Sequence, residues 1–556
     1  MLLPGGPGVV GAAQGSLVFT HGVACGDPTD SDLVLWTRVS QPATVVPELL
    51  DAASGEVVRT LPPAEATPDA DLTVKVVADG LDSGQAVNYR FRGPAGELSP
   101  TGSCHAARAT ADDSPVTFGF SGDADWKWRP YPLVSRALVA EPLDFFFFLG
   151  DLIYEDTSPD GSTVAETLAD YRAKYRENRE PRPGSEIPAL RPLYDRFGLY
   201  AVFDNHETGA SRADSSAPSY TEGGAPAGPG FVNQTPGFND RVRAFGEYTP
   251  VRDRRVEGTG DPRLDGTRQF FFTQPWGRLA RLIVVDDRSY RDRRLRDSAD
   301  PEADDPARTM VGAPQLAWLE AELLSAQQQG VTWKFVVVSS PIQRIGRAAE
   351  IGVDLDGSKS WAGGYRVERD RLLQFIDAAG IDNVVFLTTD NHNTMINNLR
   401  YHVVPEDQTS PEVPARNAFE ILTGPLGAST RPPIMLDSTR LGHRDVQRLI
   451  GATLASRQLA AGVDPIGLEP GFPGLVADSV VAEGARPGTV EPQAFVSFNT
   501  YTYAVLDVDA NRLSVRVVGI PIVADFNMLN MAEGLTAYLA EEPHTILQFA
   551  VDPLKP

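Results

Sequence analysis

Aspartate, tyrosine, asparagine and histidine side chains gather in four short segments of this chain, each following a run that reads as a β-strand. Gly122-Asp123 follows VTFGFS, and Gly150-Asp151-Leu152-Ile153-Tyr154 follows FFFFL. Asp204-Asn205-His206-Glu207 follows LYAVF, and Asp390-Asn391-His392 follows NVVFLTT. Open α/β sheets carry their chemistry at the carboxyl ends of strands. Segments far apart in sequence can therefore meet at one rim. The donor types suit a pair of metal ions, and the chemistry expected of such a pair is hydrolysis of phosphate esters.

Asp151 is the natural bridge, because two carboxylate oxygens can hold two cations close together. Gly150 before it permits close backbone approach at the strand end. Tyr154 offers a hard anionic donor that favours a trivalent ion such as Fe3+. Asp123 and His392 complete that first site. The second site takes Asp151, Asn205 and Asp390, an oxygen-only set that favours Ca2+, Mg2+ or Mn2+ over Zn2+. His206 is expected to hydrogen-bond the phosphate or to protonate the leaving oxygen as a general acid. Glu207 is expected to orient its imidazole. Asp125 and Asp204 are supporting carboxylates beside the ligands. Arg288, in DDRSYR after a strand, either binds phosphate bidentately or pairs with Asp286 or Asp287. The reaction expected is in-line attack of water on phosphorus, with the cations neutralising developing charge and His206 assisting the departing alcohol.

Bulk properties restrict the alternatives. A formal charge of −24 repels nucleic acid and anionic membranes, so a nucleic-acid-binding scaffold is excluded. No apolar tract is long enough to cross a bilayer. An anionic substrate then needs positive charge supplied locally, as metal ions do. The two cysteines, Cys25 and Cys104, both fall early in the chain, where a disulfide and two buried thiols are equally open readings. No G-x-S-x-G elbow is present, which removes a serine hydrolase.

The elements that must position these residues follow from periodicity. Residues 1–17 (MLLPGGPGVVGAAQGSL) lack a basic n-region and a full apolar h-region, and read as a residual leader or flexible N-terminus. Residues 18–112 read as short alternating strands in a small antiparallel β-sandwich, with a linker near 109–115. From there to residue 525, strands alternate with amphipathic helices at Val164–Glu177, Gln315–Gln328 and Glu368–Ala379, which indicates an α/β catalytic domain. The Gly/Pro-rich stretch 424–495 reads as loops with a short helix. Residues 526–556 are expected to be a C-terminal helical tail near the active site.

The ordered motifs resemble the PhoD-like alkaline phosphatase and phospholipase D family of metallophosphoesterases. The resemblance runs from about residue 18 to 520: HGVACGDP at 21–28, LVLWTR at 33–38, GDLIYE at 150–155, DNHE at 204–207, EYTPVR at 247–252, DDRSYR at 286–291, WLEAEL at 318–323 and GGYRVER at 363–369. It implies an immunoglobulin- or fibronectin-like N-terminal domain, a four-layer αββα catalytic domain, and export to the periplasm or medium, often by the twin-arginine route. Members often carry Cys where this chain has Asp123. There the chain looks more like purple acid phosphatases, which supply an Asp to Fe3+ at that motif. Those enzymes add histidines at the second metal. Here Asp390 stands at one such position, and Val338-Ser339-Ser340-Pro341 has none, so the resemblance implies a harder second ion such as Ca2+. A phospholipase D-like diesterase and a non-catalytic extracellular binding protein are the competing readings.

Overall fold

The computed structural model describes residues 16–155, 164–208, 231–292, 294–295, 300–344, 347–348, 353–354, 360–428, 474–476, 479, 481–482, 500–522 and 526–554. The four phenylalanines form the strand Phe145–Leu149. Side chains alternate faces along a strand. Phe145 and Phe147 therefore enter one core, while Phe146 and Phe148 enter another.

That strand lies in a ten-stranded sheet, in the order Val481–Ala482, His544–Val551, Leu513–Pro521, Thr500–Val508, Val116–Ser121, Phe145–Leu149, Gly198–Val202, Phe19–Gly26, Leu33–Val39 and Thr73–Ala78. A second sheet has six strands, ordered Phe272–Trp276, Ala280–Val284, Trp333–Val337, Val384–Thr388, Glu412–Leu422 and Met395–His402. The centre of each sheet is parallel. The sheets face one another across a core that joins Phe118, Phe145, Phe147 and Tyr200 to Trp276, Phe335, Val337 and Leu387. Phe145 stacks on Phe118 at 4.8 Å and lies 4.4 Å from Trp276 between ring centroids.

Helices cover both outer faces. Leu168–Glu177 and Phe238–Tyr248 pack Tyr171, Tyr175 and Phe245 under Phe146 and Phe148. Ala313–Gln328 and Arg366–Ala378 pack Leu319, Leu323, Leu372 and Ile376 on Ile283, Val336 and Phe386. The result is the four-layer αββα arrangement. The first of these helices starts at Leu168, later than its apolar pattern suggests, because Thr167 and Asp170 form a reciprocal capping box. Among the described residues no helix is long and apolar enough to cross a membrane.

The N-terminal strands form a sandwich that shares a sheet with the catalytic layers. Val23, Cys25, Leu33 and Leu35 pack on Val45, Leu49, Tyr89 and Phe91 of a separate antiparallel sheet. Yet Phe19–Gly26 also pairs in parallel with Gly198–Val202, Cys25 opposite Gly198. Cys25 and Cys104 are buried free thiols, and burial with Cys104 alongside raises the Cys25 thiol well above its usual range.

The C-terminal region differs from expectation. The helix Ala532–Ala540 is present, and Tyr538 donates to the Trp128 carbonyl at 3.2 Å. The chain beyond it is a strand, His544–Val551, antiparallel to Leu513–Pro521. Ile546, Leu547, Phe549 and Val551 are buried there, in the core between the two sheets. Apart from 424–428 and a few residues near 474–482, the stretch 424–495 lies outside the described residues.

Because Phe145 contacts rings from both sheets, Phe145→Ala should destabilise the fold by about 3–5 kcal/mol. Denaturant unfolding measures this, and a loss below about 1 kcal/mol would contradict the packing described.

Candidate metal centre

The parallel strands of both sheets end at one rim, and all four sequence segments lie there. Gly122-Asp123 follows Val116–Ser121, and Gly150-Asp151 follows Phe145–Leu149. Asn205–Thr208 opens a single helical turn after Gly198–Val202, while Asp390 and His392 follow Val384–Thr388 of the other sheet. The loops are bonded to each other. Asp123 N–H donates to Gly150 O at 3.1 Å and Ala124 N–H to Asp151 O at 2.9 Å. Across the sheets, Thr389 Oγ1 donates to Leu149 O at 2.8 Å.

Turning each side chain inward requires unusual backbone. Asp123, Asp151, Asp390 and His392 have φ of +58°, +52°, +66° and +52°. Such conformations cost on the order of 1–3 kcal/mol each and persist only where the surroundings impose them. Glycine makes the approach possible. A Cβ on Gly150 would lie 2.4 Å from the Asp204 Cβ, and one on Gly424 would lie 2.9 Å from Asp123 Oδ2.

Two groups of donors result, each with ligand atoms within 4.8 Å of one another: Asp123, Asp151 and His392, and Asp151, Asp204 and Asp390. Asp151 belongs to both. His392 Nε2 lies 3.0 Å from Tyr154 Oη and 3.4 Å from Asp123 Oδ1. Burial pushes the Tyr154 phenol well above its ordinary value, and Asp151, Asp123, Asp125 and Asp390 push it further. Burial likewise raises Asp204; Arg288 opposes the shift, while Asp390 and Asp151 add to it.

Buried polar atoms are normally hydrogen-bonded. Both Asp123 carboxylate oxygens, Asp204 Oδ2 and Asn205 Oδ1 are buried without a hydrogen-bond partner. Packed carboxylates with open lone pairs are the donor set of a cation site, so the residues present fit metal ions.

The other expected residues have distinct places. Asp125 caps the turn Trp126–Trp128, accepting from Lys127 N–H at 3.0 Å. Arg288 is fully buried. Its guanidinium is held by Asp204, with Asp390 Oδ2 at 3.2 Å and Asp287 Oδ1 at 3.9 Å. Burial works against its charge, but Asp204, Asp287 and Asp390 outweigh that and keep it protonated. Asp286 instead accepts the backbone N–H groups of Arg288 and Ser289.

One expectation is corrected. Glu207 does not orient His206. Its carboxylate accepts the backbone N–H groups of Asp151, Leu152, Ile153 and Asp204, and so fixes the bridging loop. Burial, reinforced by Asp151, pushes Glu207 up to about 8. The partner of His206 is Glu155, whose Oε2 lies 2.6 Å from Nδ1. The side-chain direction of adjacent carboxylates decides this, and spacing alone does not carry it. Sequence reasoning also missed Gly424 and gave Asp204 only a supporting place, although Asp204 directly precedes Asn205 at a strand end.

An αββα fold whose strand ends carry acidic and histidine groups placed to bind metal, with Asp151 common to both groups, defines a metal-dependent hydrolase of the metallophosphoesterase type. The model of the PhoD-like phosphatase family matches residues 118–451, and that of its N-terminal domain matches residues 7–108. The chain belongs to the PhoD-like phosphatase family and is a phosphoric ester hydrolase, not a non-catalytic binding protein. Alkaline phosphatase D of Bacillus subtilis (strain 168) is 28% identical over 434 residues, 72% of this chain and 68% of that one. A solved structure of PhoD is similar with a TM-score of 0.67 and 22% identity, over 96% of this chain and 90% of that one. Purple acid phosphatase PPD1 of yellow lupin (Lupinus luteus) is more distant, with a TM-score of 0.49 and 10% identity over 97% of this chain and 74% of that one.

Removing bound cations should leave the carboxylates to repel one another. A chelator should therefore lower the Tm of the wild type by several degrees, since a ligand held at 100 times its Kd stabilises by about 2.7 kcal/mol. The same chelator should shift Asp151→Ala much less; an equal shift in both would contradict a shared bridge. Gly424→Ala should displace Asp123 and reduce phosphate release at least about tenfold. Wild-type turnover in that variant would show that the close approach is dispensable.

Proposed function

We propose that the enzyme is an alkaline phosphatase and phosphodiesterase working through a mixed metal pair. Fe3+ is held by Asp123, Asp151, Tyr154 and His392. A hard divalent ion, Ca2+ or else Mg2+ or Mn2+, would be held by Asp151, Asn205 and Asp390, with Asp204 alongside. The observation that carries this reading is the presence of Asp151 in both donor groups. A phenol raised by burial, and further by four surrounding carboxylates, becomes a ligand only for a strongly charged cation, which supports a trivalent ion at Tyr154. Oxygen donors without sulfur support the hard ion at the other site.

Bound there, the cations supply Lewis acidity that neutralises phosphoryl charge and acidifies water. The chain's own residues do the rest. Asp151 sets the spacing of the two sites. Arg288, enclosed between Asp204 and Asp390, holds both carboxylates in place and does not reach the substrate. His206, beside the bridge with Nε2 3.9 Å from Asp151 Oδ2, gives its proton to the departing alkoxide. The family resemblance supports export from the cytoplasm.

The test is product analysis with purified enzyme. We expect phosphate from monoesters and from simple diesters at alkaline pH, and a fall on the order of 10³-fold in Asp151→Asn. Choline release from phosphatidylcholine without monoesterase activity would instead favour a phospholipase D-like enzyme.

A further inference from the structure

His206 is held through both its backbone and its ring. Its backbone N–H donates to Asp151 Oδ1 at 3.1 Å, tying the residue to the bridge. The Tyr154 ring covers one face, with centroids 4.0 Å apart and planes inclined by 32°. Glu155 Oε2 meets Nδ1 at 2.6 Å. Glu155 is wholly buried and His206 is 8% exposed, so water does not compete for that bond.

A carboxylate only accepts hydrogen bonds. The nitrogen facing Glu155 must therefore carry a proton, and Nε2, turned toward Asp151 3.9 Å from its Oδ2, carries the second proton of the imidazolium, the one available for donation. The loop bearing Glu155 is itself fixed, because Glu207 collects the N–H groups of Asp151, Leu152 and Ile153. At the far end Ala165 N–H donates to Glu155 O at 2.8 Å. The bridge, the tyrosine and Glu155 thus arrive as one rigid piece.

We infer that Glu155 is the positioning residue of the reaction: it orients His206 so that Nε2 faces the leaving oxygen. Glu155 touches neither substrate nor metal. This rests on the reading of His206 as the proton donor. Removing Glu155 lets the imidazole rotate about Cβ–Cγ and lose its aim. The interaction serves only the transition state, so the loss falls on kcat and leaves KM nearly as it was.

Leaving groups separate this role from a structural one. An alkyl phosphate needs its alkoxide protonated, whereas p-nitrophenolate departs without a proton. With the holoenzyme, Glu155→Ala should lower kcat for an alkyl monoester by roughly 10²-fold. For p-nitrophenyl phosphate the loss should stay below about fivefold. Glu155→Gln keeps an acceptor for Nδ1–H and should recover most of the alkyl activity, and His206→Ala should show the same selectivity as Glu155→Ala. If Glu155→Ala does not fold, judged by its Tm, Glu155→Gln against the shorter Glu155→Asp decides: Gln should retain alkyl turnover and Asp should lose it. Equal losses on both substrates in the Glu155 variants, with His206→Ala still selective, would overturn the inference alone. A uniform loss in His206→Ala would overturn the proton-donor reading and this inference with it.

Discussion

Four carboxylates, those of Asp123, Asp151, Asp204 and Asp390, are buried within one small space, and Arg288 is the guanidinium set among them. Like charges removed from water repel strongly and titrate upward unless cations intervene. Burial raises the Asp204 carboxyl and the Tyr154 phenol, and the neighbouring carboxylates add to both shifts. Everything else about the site follows from having to hold this cluster together. The same logic resolves the mismatch between a chain of formal charge −24 and an anionic substrate. Attraction is supplied at the rim by bound ions and is not spread over the surface.

The fold meets the constraint by bringing two parallel sheets to a common edge. Each sheet contributes ligands, and bonds such as Thr389 to Leu149 lock the edges together. Left-handed backbone at Asp123, Asp151, Asp390 and His392 turns the donors inward. The aromatic layer between the sheets, built on Phe118, Phe145, Phe335 and Trp276, is the rigid base that can sustain such strain. Glu207 and Arg288 act from behind, the first on the backbone of the bridging loop and the second on the carboxylates of Asp204 and Asp390.

Much of this was legible in the sequence because strand ends are short-range features. The four segments, the alternation of the phenylalanine run and the helix stripes depend on neighbours within a few residues. Long-range choices were not legible. The pairing of Cys25 with Gly198, which merges the N-terminal sandwich into the catalytic sheet, leaves no local mark. The strand His544–Val551 was hidden because its alternation is broken by the adjacent buried pair Ile546 and Leu547. Glu155 and Glu207 flank different ligands and look equivalent by spacing; only side-chain direction shows that one holds His206 and the other holds backbone. Gly424 gains its meaning from Asp123, a contact across about three hundred residues.

The central claim is that this carboxylate cluster exists to hold two unlike cations. Elemental analysis of the purified, chelator-untreated protein tests it most directly. The account predicts two ions per chain, one iron and one calcium or other hard divalent ion, with both diminished in Asp151→Asn. Zinc alone, or no stoichiometric metal in an active preparation, would contradict it.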